Sequence, residues 1–600
     1  MLFNAFKNFK SKNTAIKFSY NWHVAFGSVN SLVENVTWQD EHFAFISKDI
    51  TKDNKSNNTS DTRLMALSPK GQFVVVGEVW LSNRNELIER LGININKIVS
   101  GFELNDIQLT DTQLTDIQIV AQLWERWGCE SFKLLVGMFA LVVWDRERQE
   151  LYLGRDRVGA RTVYYTRDAS TYWIAASLRS LRPYHSDELD LVALRDYLSC
   201  AFVPGERTLW KQVREVRPGT VLQLPDGKVN AYWELKEQIR DADKSLAWHG
   251  ERLRELLDNI IQEYLPKNQA VGVFLSGGLD SSCIAALASK FHNFPVHTFS
   301  IHFGSECPNE LEFSSLVANH CQTQHHILEI TFRDMWNRLL ETMAYLDDPI
   351  GDPLTVPNLL VGELAKESVD IILNGEGGDP CFGGPKNQPM LINTLYGELT
   401  NQNLLQAYLN SFHKCAADLP QLLKPEIWQA VETEDSVFSD DLYSNANYLN
   451  RLMALNIKYK GADQILTKVS NLTQGTGLIG LSPLFDQRIV DFSMQIPPEY
   501  KLSGVEEKAV LKQAVFDIIP SAIINRPKSG MMVPVQMGFR QYWHREAKKL
   551  LLNKKALIAP YFNQSLINDW LNFQGDVWRR YGVKLWLLVS LEMWLQANKK

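Results

Sequence analysis

No stretch of the 600-residue chain reaches the ~18 uninterrupted apolar residues of a membrane span, so no transmembrane segment is expected. The N-terminus, Met1-Leu2-Phe3-Asn4 with Lys7, Lys10 and Lys12, lacks the apolar core of a secretory signal. Cysteine is scarce: seven residues, scattered without C-x-x-C or C-x-x-H spacing, which suits a reduced cytoplasmic protein without a zinc site. There is no surplus of positive charge. With 62 Lys and Arg against 69 Asp and Glu, the formal net charge is -7, which argues against a general nucleic-acid binder. What is plentiful is apolar content, 45%, enough for two or more well-buried domains.

The first ~235 residues read as short strands separated by turns. Phe73–Trp80, Met138–Trp144 and Gln149–Gly154 are rich in Val, Phe, Tyr and Trp, and Pro218-Gly219 and Pro225-Asp226-Gly227 punctuate a last hairpin ending at Tyr232-Trp233. From about residue 245 the texture changes. A helical pattern at 249–264 precedes an apolar run at Val271. Strand (Val296–Phe303), helix (Glu310–His320), strand (His326–Ile330) and helix (Phe332–Tyr345) then alternate, and Val369–Leu373 adds another strand. Such alternation predicts a parallel sheet with helices on its faces and ligands at the strand carboxyl ends. After residue 400 the chain reads as largely helical, with Trp570, Trp578, Trp586 and Trp594 as packing anchors.

One turn stands out. Val271–Phe274 runs into Leu275-Ser276-Gly277-Gly278-Leu279-Asp280-Ser281-Ser282, and a helical pattern begins by Cys283. Glycines let backbone N–H groups approach an anion, and the start of a helix directs its positive end there. Serine hydroxyls add donors, and Asp280 suits a Mg²⁺ that accompanies a polyphosphate. No Lys follows the glycines, so this is not the phosphate loop of kinases and GTPases. It resembles the loop of enzymes that cleave ATP to AMP and pyrophosphate. ATP and Mg²⁺ are therefore the expected cofactors.

Three further segments, Gly375-Glu376-Gly377-Gly378-Asp379-Pro380, Asp348-Pro349-Ile350-Gly351-Asp352-Pro353 and Asn525-Arg526-Pro527-Lys528-Ser529-Gly530, accompany that loop. Together the four resemble the synthetase half of class B asparagine synthetases and their relatives, the β-lactam synthetases and lasso-peptide cyclases. Gly137-Met138-Phe139-Ala140 and Gly154-Arg155-Asp156-Arg157-Val158-Gly159 resemble the glutaminase-type domain of that family. The resemblance implies an α/β chain of two domains. Residues 1–235 would form a degenerate glutamine-amidotransferase-like domain, an α+β Ntn-hydrolase-like β-sandwich. Residues 245–600 would form a doubly wound parallel sheet of the adenine-nucleotide α-hydrolase (PP-loop) type with a helical C-terminal extension. The implied chemistry is attack of a carboxylate on the α-phosphate of ATP, loss of pyrophosphate, and aminolysis of the acyl-adenylate. Leu275, Ser276, Gly277, Gly278, Asp280, Ser281, Ser282, Gly375 and Gly377 would hold the nucleotide. Asp280 and Asp379 would hold Mg²⁺, Lys528 would stabilise the phosphoryl transition state, and Glu376 would be the general base toward the amine. Lys508 and the pair His325-His326 match family positions but read as structural.

The chain also departs from the pattern. The family's nucleophile is a cysteine at position 2; here Leu2 stands there and the first cysteine is Cys129. The family's Asn-Gly-Glu is Val76-Gly77-Glu78, although Arg63, Glu78 and Asp116 match positions that hold glutamine. In the second loop the usual carboxylate after the Mg²⁺ Asp is Pro380. The leading expectation is an amide ligase without glutamine hydrolysis, such as a lasso-peptide or macrolactam cyclase. It would take a small-molecule or peptide carboxylate and an amine, with a precursor peptide and companion processing proteins as partners, but no nucleic acid or membrane. The alternatives are an asparagine synthetase using free ammonia and an inert binding or regulatory paralogue.

Overall fold

The computed structural model describes residues 21–27, 36–48, 64–93, 114–384, 404–503, 506–526, 533–574 and 580–600. Among these residues twelve strands build the N-terminal half: β1 Asn21–Phe26, β2 Trp38–Gln39, β3 Phe43–Lys48, β4 Met65–Leu67, β5 Phe73–Leu81, β6 Gly137–Asp145, β7 Glu150–Arg155, β8 Tyr164–Asp168, β9 Thr171–Ala175, β10 Val213–Glu215, β11 Thr220–Leu224 and β12 Lys228–Ala231. They form two six-stranded antiparallel sheets, ordered β10-β8-β9-β1-β3-β2 and β12-β11-β7-β6-β5-β4.

The period-2 alternation of a strand explains why β6 is apolar along its length. Ala140, Val142 and Trp144 face the other sheet, where Phe43 stacks on Trp144 with ring centroids 5.8 Å apart. Phe139, Leu141 and Val143 face outward and are covered by Ile117, Val120 and Trp124 of the helix Asp116–Trp127. A strand buried on both faces carries no polar alternation.

The second half contains a five-stranded sheet: β13 Val271–Phe274, β14 Val296–His302, β15 Gln324–Glu329, β16 Ile371–Leu373 and β17 Ile479–Leu481. Its order is β15-β14-β13-β16-β17, and every pair is parallel. The mixed α/β, two-domain architecture with a C-terminal parallel sheet is thus the one expected. Three local readings are corrected. β17 lies in the part read as largely helical and was not anticipated, because a three-residue edge strand is too short to show periodicity. The expected helix Phe332–Tyr345 is two helices, Phe332–Asn337 and Leu339–Tyr345, which meet at Arg338, whose guanidinium pairs with Glu341 at 2.8 Å. The helix after the first glycine turn starts at Leu279 rather than Cys283, so Asp280, Ser281 and Ser282 lie in its first turn.

The two halves share a core. Ala25, Trp173 and Ala175 of the first sheet join Leu194 and Tyr197 of the helix Leu191–Cys200 and Trp586 and Trp594 of the helix Tyr581–Asn598. Tyr197 donates its hydroxyl hydrogen to the Leu587 carbonyl at 2.9 Å. Trp570, Trp586 and Trp594 are buried as expected; Trp578 lies outside the described residues. Among the described residues no helix is long and apolar enough to cross a membrane.

Candidate nucleotide site

β13 lies between β14 and β16, and the strand order changes direction there. The turns leaving β13 and β16 therefore open side by side, the position at which α/β sheets bind ligands. Leu275 directly follows β13, its N–H donating to the Phe299 carbonyl at 2.8 Å. The turn then folds on its own hydroxyls. Ser276 Oγ lies 3.1 Å from Ser281 Oγ and accepts from the Gly278 N–H at 3.3 Å. Gly277 has φ +77°, and a Cβ there would stand 2.5 Å from the Ser314 nitrogen, so both conformation and space demand glycine. Gly278 caps the helix Leu279–Phe291 with no side-chain hydrogen bond, which leaves the first-turn N–H groups to an outside acceptor. Ser282 Oγ is buried and has no partner.

The second turn is held by Asn374, which donates from Nδ2 to the Leu481 carbonyl at 3.0 Å and accepts from the Glu376 N–H at 3.0 Å. A Cβ on Gly375 would lie 2.5 Å from the Ser281 nitrogen. The two turns therefore touch backbone to backbone, and Asp379 rises from the short helix Gly378–Phe382 beside Asp280.

Between these two carboxylates stands Lys508. Its Nζ is 2.7 and 2.5 Å from Asp280 Oδ1 and Oδ2 and 2.5 Å from Asp379 Oδ1. The lysine is almost wholly buried, sits at φ +55° ahead of the helix Ala509–Val515, and donates its N–H to the Lys501 carbonyl at 2.7 Å. Burial alone would push its pKa down; Asp280 and Asp379 more than reverse this, and the net shift is upward. The expected ion-pair character of Lys508 thus has a specific place, at the centre of the nucleotide turns, which spacing along the chain did not reveal.

Two carboxylates converging on one point fit Mg²⁺, which takes one or two protein carboxylates and completes its shell with phosphate oxygens and water. Among the described residues no group of three or more His, Cys, Asp or Glu is arranged to hold a metal without such help. Lys528 lies outside the described residues. Arg526 of the same motif donates to the Gly277 carbonyl at 3.0 Å, pairs with Glu310, and lies 3.9 Å above the Phe313 ring. That clamp on the first turn was missed in the sequence, because its partners are about two hundred residues away.

The N-terminal carboxylates have a different setting. Glu78 on β5 pairs with Arg161 at 3.4 Å, while Asp116 accepts from the Leu81 N–H at 2.9 Å and pairs with Arg84 at 3.2 Å. Burial is the largest influence on both and raises their pKa values. Arg63 lies outside the described residues. Val76 is fully buried between the sheets. Asp156 of the Gly154–Gly159 motif accepts from the N–H groups of Gly159, Ala160 and Arg161 at 2.8–2.9 Å, so it shapes its own loop. Burial raises the pKa of all seven cysteines, Cys129 and Cys321 to about 11 and Cys381 and Cys415 to about 12, and none is an activated thiol. His325 and His326 lie within β15; His326 Nε2 is 3.1 Å from His297 Nδ1, and His325 Nδ1 is 2.9 Å from Thr298 Oγ1, a structural arrangement.

A family model described as asparagine synthase matches residues 252–596, more than half of the chain and all of this site. The chain belongs to the asparagine synthase family. By that membership it is an ATP-dependent carbon–nitrogen ligase. A model described as a glutamine amidotransferase domain matches residues 101–233. The chain is 25% identical over 520 residues to asparagine synthetase [glutamine-hydrolyzing] 1 of Bacillus subtilis, covering 78% of this chain and 79% of that one. It is 25% identical over 461 residues, 70% of each chain, to a putative asparagine synthetase of Mycobacterium tuberculosis. It is 23% identical to asparagine synthetase B of Escherichia coli, over 68% of this chain and 63% of that one.

Proposed function

We propose that this chain forms an amide bond by adenylating a carboxylate with ATP, releasing pyrophosphate, and passing the acyl group to an amine without hydrolysing glutamine. The observation that carries this reading is the convergence of Asp280 and Asp379 on one point beside two glycine turns at the sheet's switch point. The turn residues Leu275, Ser276, Gly277, Gly278, Ser281 and Ser282, with Gly375 and Gly377, form the seat for the nucleotide phosphates. Asp280 and Asp379 would hold Mg²⁺, which would supply charge neutralisation for the departing pyrophosphate. Lys528 adds a positive charge for the transition state. Glu376 takes the proton from the attacking amine.

Support for the loss of glutamine hydrolysis comes from the N-terminal half. No thiol there is activated, Val76 offers no side-chain amide, and Glu78 and Asp116 are tied to Arg161 and Arg84. The amine then belongs to the substrate itself, as in a lasso-peptide or other macrolactam cyclase, with a precursor peptide and companion processing proteins as partners. The names of the relatives favour a second reading, synthesis of asparagine from aspartate and ammonia. ATP–pyrophosphate exchange separates the readings when run with aspartate, with aspartate plus ammonia, and with a precursor peptide encoded beside the gene. Exchange with the peptide alone supports the cyclase; asparagine formation supports the second reading. Silence with every carboxylate would leave an inert paralogue.

A further inference from the structure

No step of the proposed chemistry uses Arg526, yet its side chain is held from three sides. The helix Ser521–Ile524 sets where it stands. Ile523 of that helix is buried in the same core as Ile284 and Leu287 of the helix Leu279–Phe291, so the chain leaving it passes the first glycine turn. There Nη1 of Arg526 donates to the Gly277 carbonyl at 3.0 Å, and Nη2 pairs with Glu310. The guanidinium carbon lies 3.9 Å from the centre of the Phe313 ring. Glu310 precedes the helix Leu311–His320, and Phe313 stands in its first turn. The side chains of Arg526 and Glu310 are 10% and 13% exposed. A planar guanidinium can bond along its edge and stack through its face together, which an ammonium cannot do.

The consequence lies in one peptide plane. In a trans peptide the carbonyl and the following N–H point opposite ways. With the Gly277 carbonyl turned to Arg526, the Gly278 N–H points away from it and into the turn, where Ser276 Oγ accepts it at 3.3 Å. Ser276 Oγ in turn lies 3.1 Å from Ser281 Oγ in the first turn of the helix. Glycine at 277 leaves the backbone free to adopt other conformations, so a tie from outside is what selects this one. The acid of Glu310 offsets the charge of the guanidinium where it stands. Arg526 therefore acts on the turn through shape more than through its field.

The geometry points to Arg526, keyed by Glu310 and Phe313, as a positioning residue for the pyrophosphate part of ATP: it fixes the Gly277–Gly278 peptide in the form that receives the phosphates. This rests on the reading of the two turns as the phosphate seat, and it concerns affinity rather than the acyl chemistry. Calorimetric binding of ATP, inorganic pyrophosphate and AMP, each with Mg²⁺, to the full-length chain tests it without any acyl substrate. Arg526→Gln is expected to weaken ATP and pyrophosphate roughly tenfold, the scale of one charge-assisted hydrogen bond, and to leave AMP within about twofold. A merely structural role would weaken AMP along with ATP, or none of the three, and either result overturns the inference. Arg526→Lys keeps the charge but loses the fork, so it is expected to lose ATP and pyrophosphate affinity as well. Wild-type affinity in that variant would show that charge matters and shape does not, which also overturns it. Glu310→Gln loosens one arm of the clamp and is expected to weaken the same two ligands by less. It keeps the test alive if Arg526→Gln fails to fold, since unchanged affinities there are equally decisive. A wild type that binds neither ATP nor pyrophosphate would remove the phosphate seat and this inference with it. Wild-type binding that Arg526→Gln leaves intact would remove the inference alone.

Discussion

The two halves of the molecule each set a pair of half-buried acids against basic side chains, and they use them differently. In the N-terminal half Glu78 and Asp116 each have their own arginine, and Asp116 also caps the Leu81 backbone. Those acids hold strands and a helix together. In the C-terminal half Asp280 and Asp379 share one lysine, and both rise from glycine turns whose helices have no capping side chain. A private partner closes an acid off, whereas a shared partner can give way to a competitor such as a metal ion. The difference is between a joint and a site.

The sharpest way to break this contrast is to neutralise the shared acids. Asp280→Asn or Asp379→Asn is expected to lower ATP–pyrophosphate exchange by roughly 10²-fold or more, the scale for losing a preorganised electrostatic element. Full exchange in either variant would end the metal assignment. Next in size is Lys508→Met. It leaves two acids facing each other without their counter-ion and should destabilise the protein by ~3–5 kcal/mol, read from denaturant unfolding. The pKa of Lys508 is raised in the folded state, so its stabilisation is complete below the ~10.4 of an unfolded lysine. It is lost only as pH rises through the higher folded value, so the wild type should show no loss from this source between about pH 6 and about pH 9.

Val76→Asn restores an amide to the N-terminal half at a site packed on all sides. The expected cost is ~1–3 kcal/mol for burying it, and release of glutamate from glutamine should remain at background in the same preparation. Appearance of glutaminase activity would mean that this half is a working site after all. The smallest effect belongs to Glu78→Gln. Burial raises the folded-state pKa of Glu78, so the unfolded chain gives up its proton first and stability falls as pH climbs from about 4.3 through the folded value. Glu78→Gln should remove that slope from melting temperatures measured across this range, with little change in exchange activity.

Much of this contrast was legible along the chain, and the rest was not. Each glycine turn lies within a few residues of the strand before it, the helix after it and its own acid, and local pattern carries each of them. The strand β17 escaped because three residues, one of them glycine, give no period to detect. The break at Arg338 escaped because the apolar pattern continues through it, while its guanidinium pairs with both the neighbouring Glu341 and the more distant Glu363. Lys528 lies outside the described residues, so its place rests on its motif. Arg526 lies two positions before it, yet its clamp on Gly277 spans 249 positions in sequence and had no local sign.

The sequence by itself determined that this chain has two phosphate-type turns, an acid in each, and no thiol arranged like a metal or nucleophile motif. These features follow from residue type at short spacing, where backbone conformation and side-chain chemistry are set together. Tertiary structure alone decided which acids share a cation and which own one. Lys508 reaches Asp280 across 228 positions and Lys468 reaches Asp352 across 116. Partnerships over such distances are fixed by how strands order in a sheet and helices pack on it. That is why acids paired with basic side chains became a joint in one half of the molecule and a candidate catalytic centre in the other.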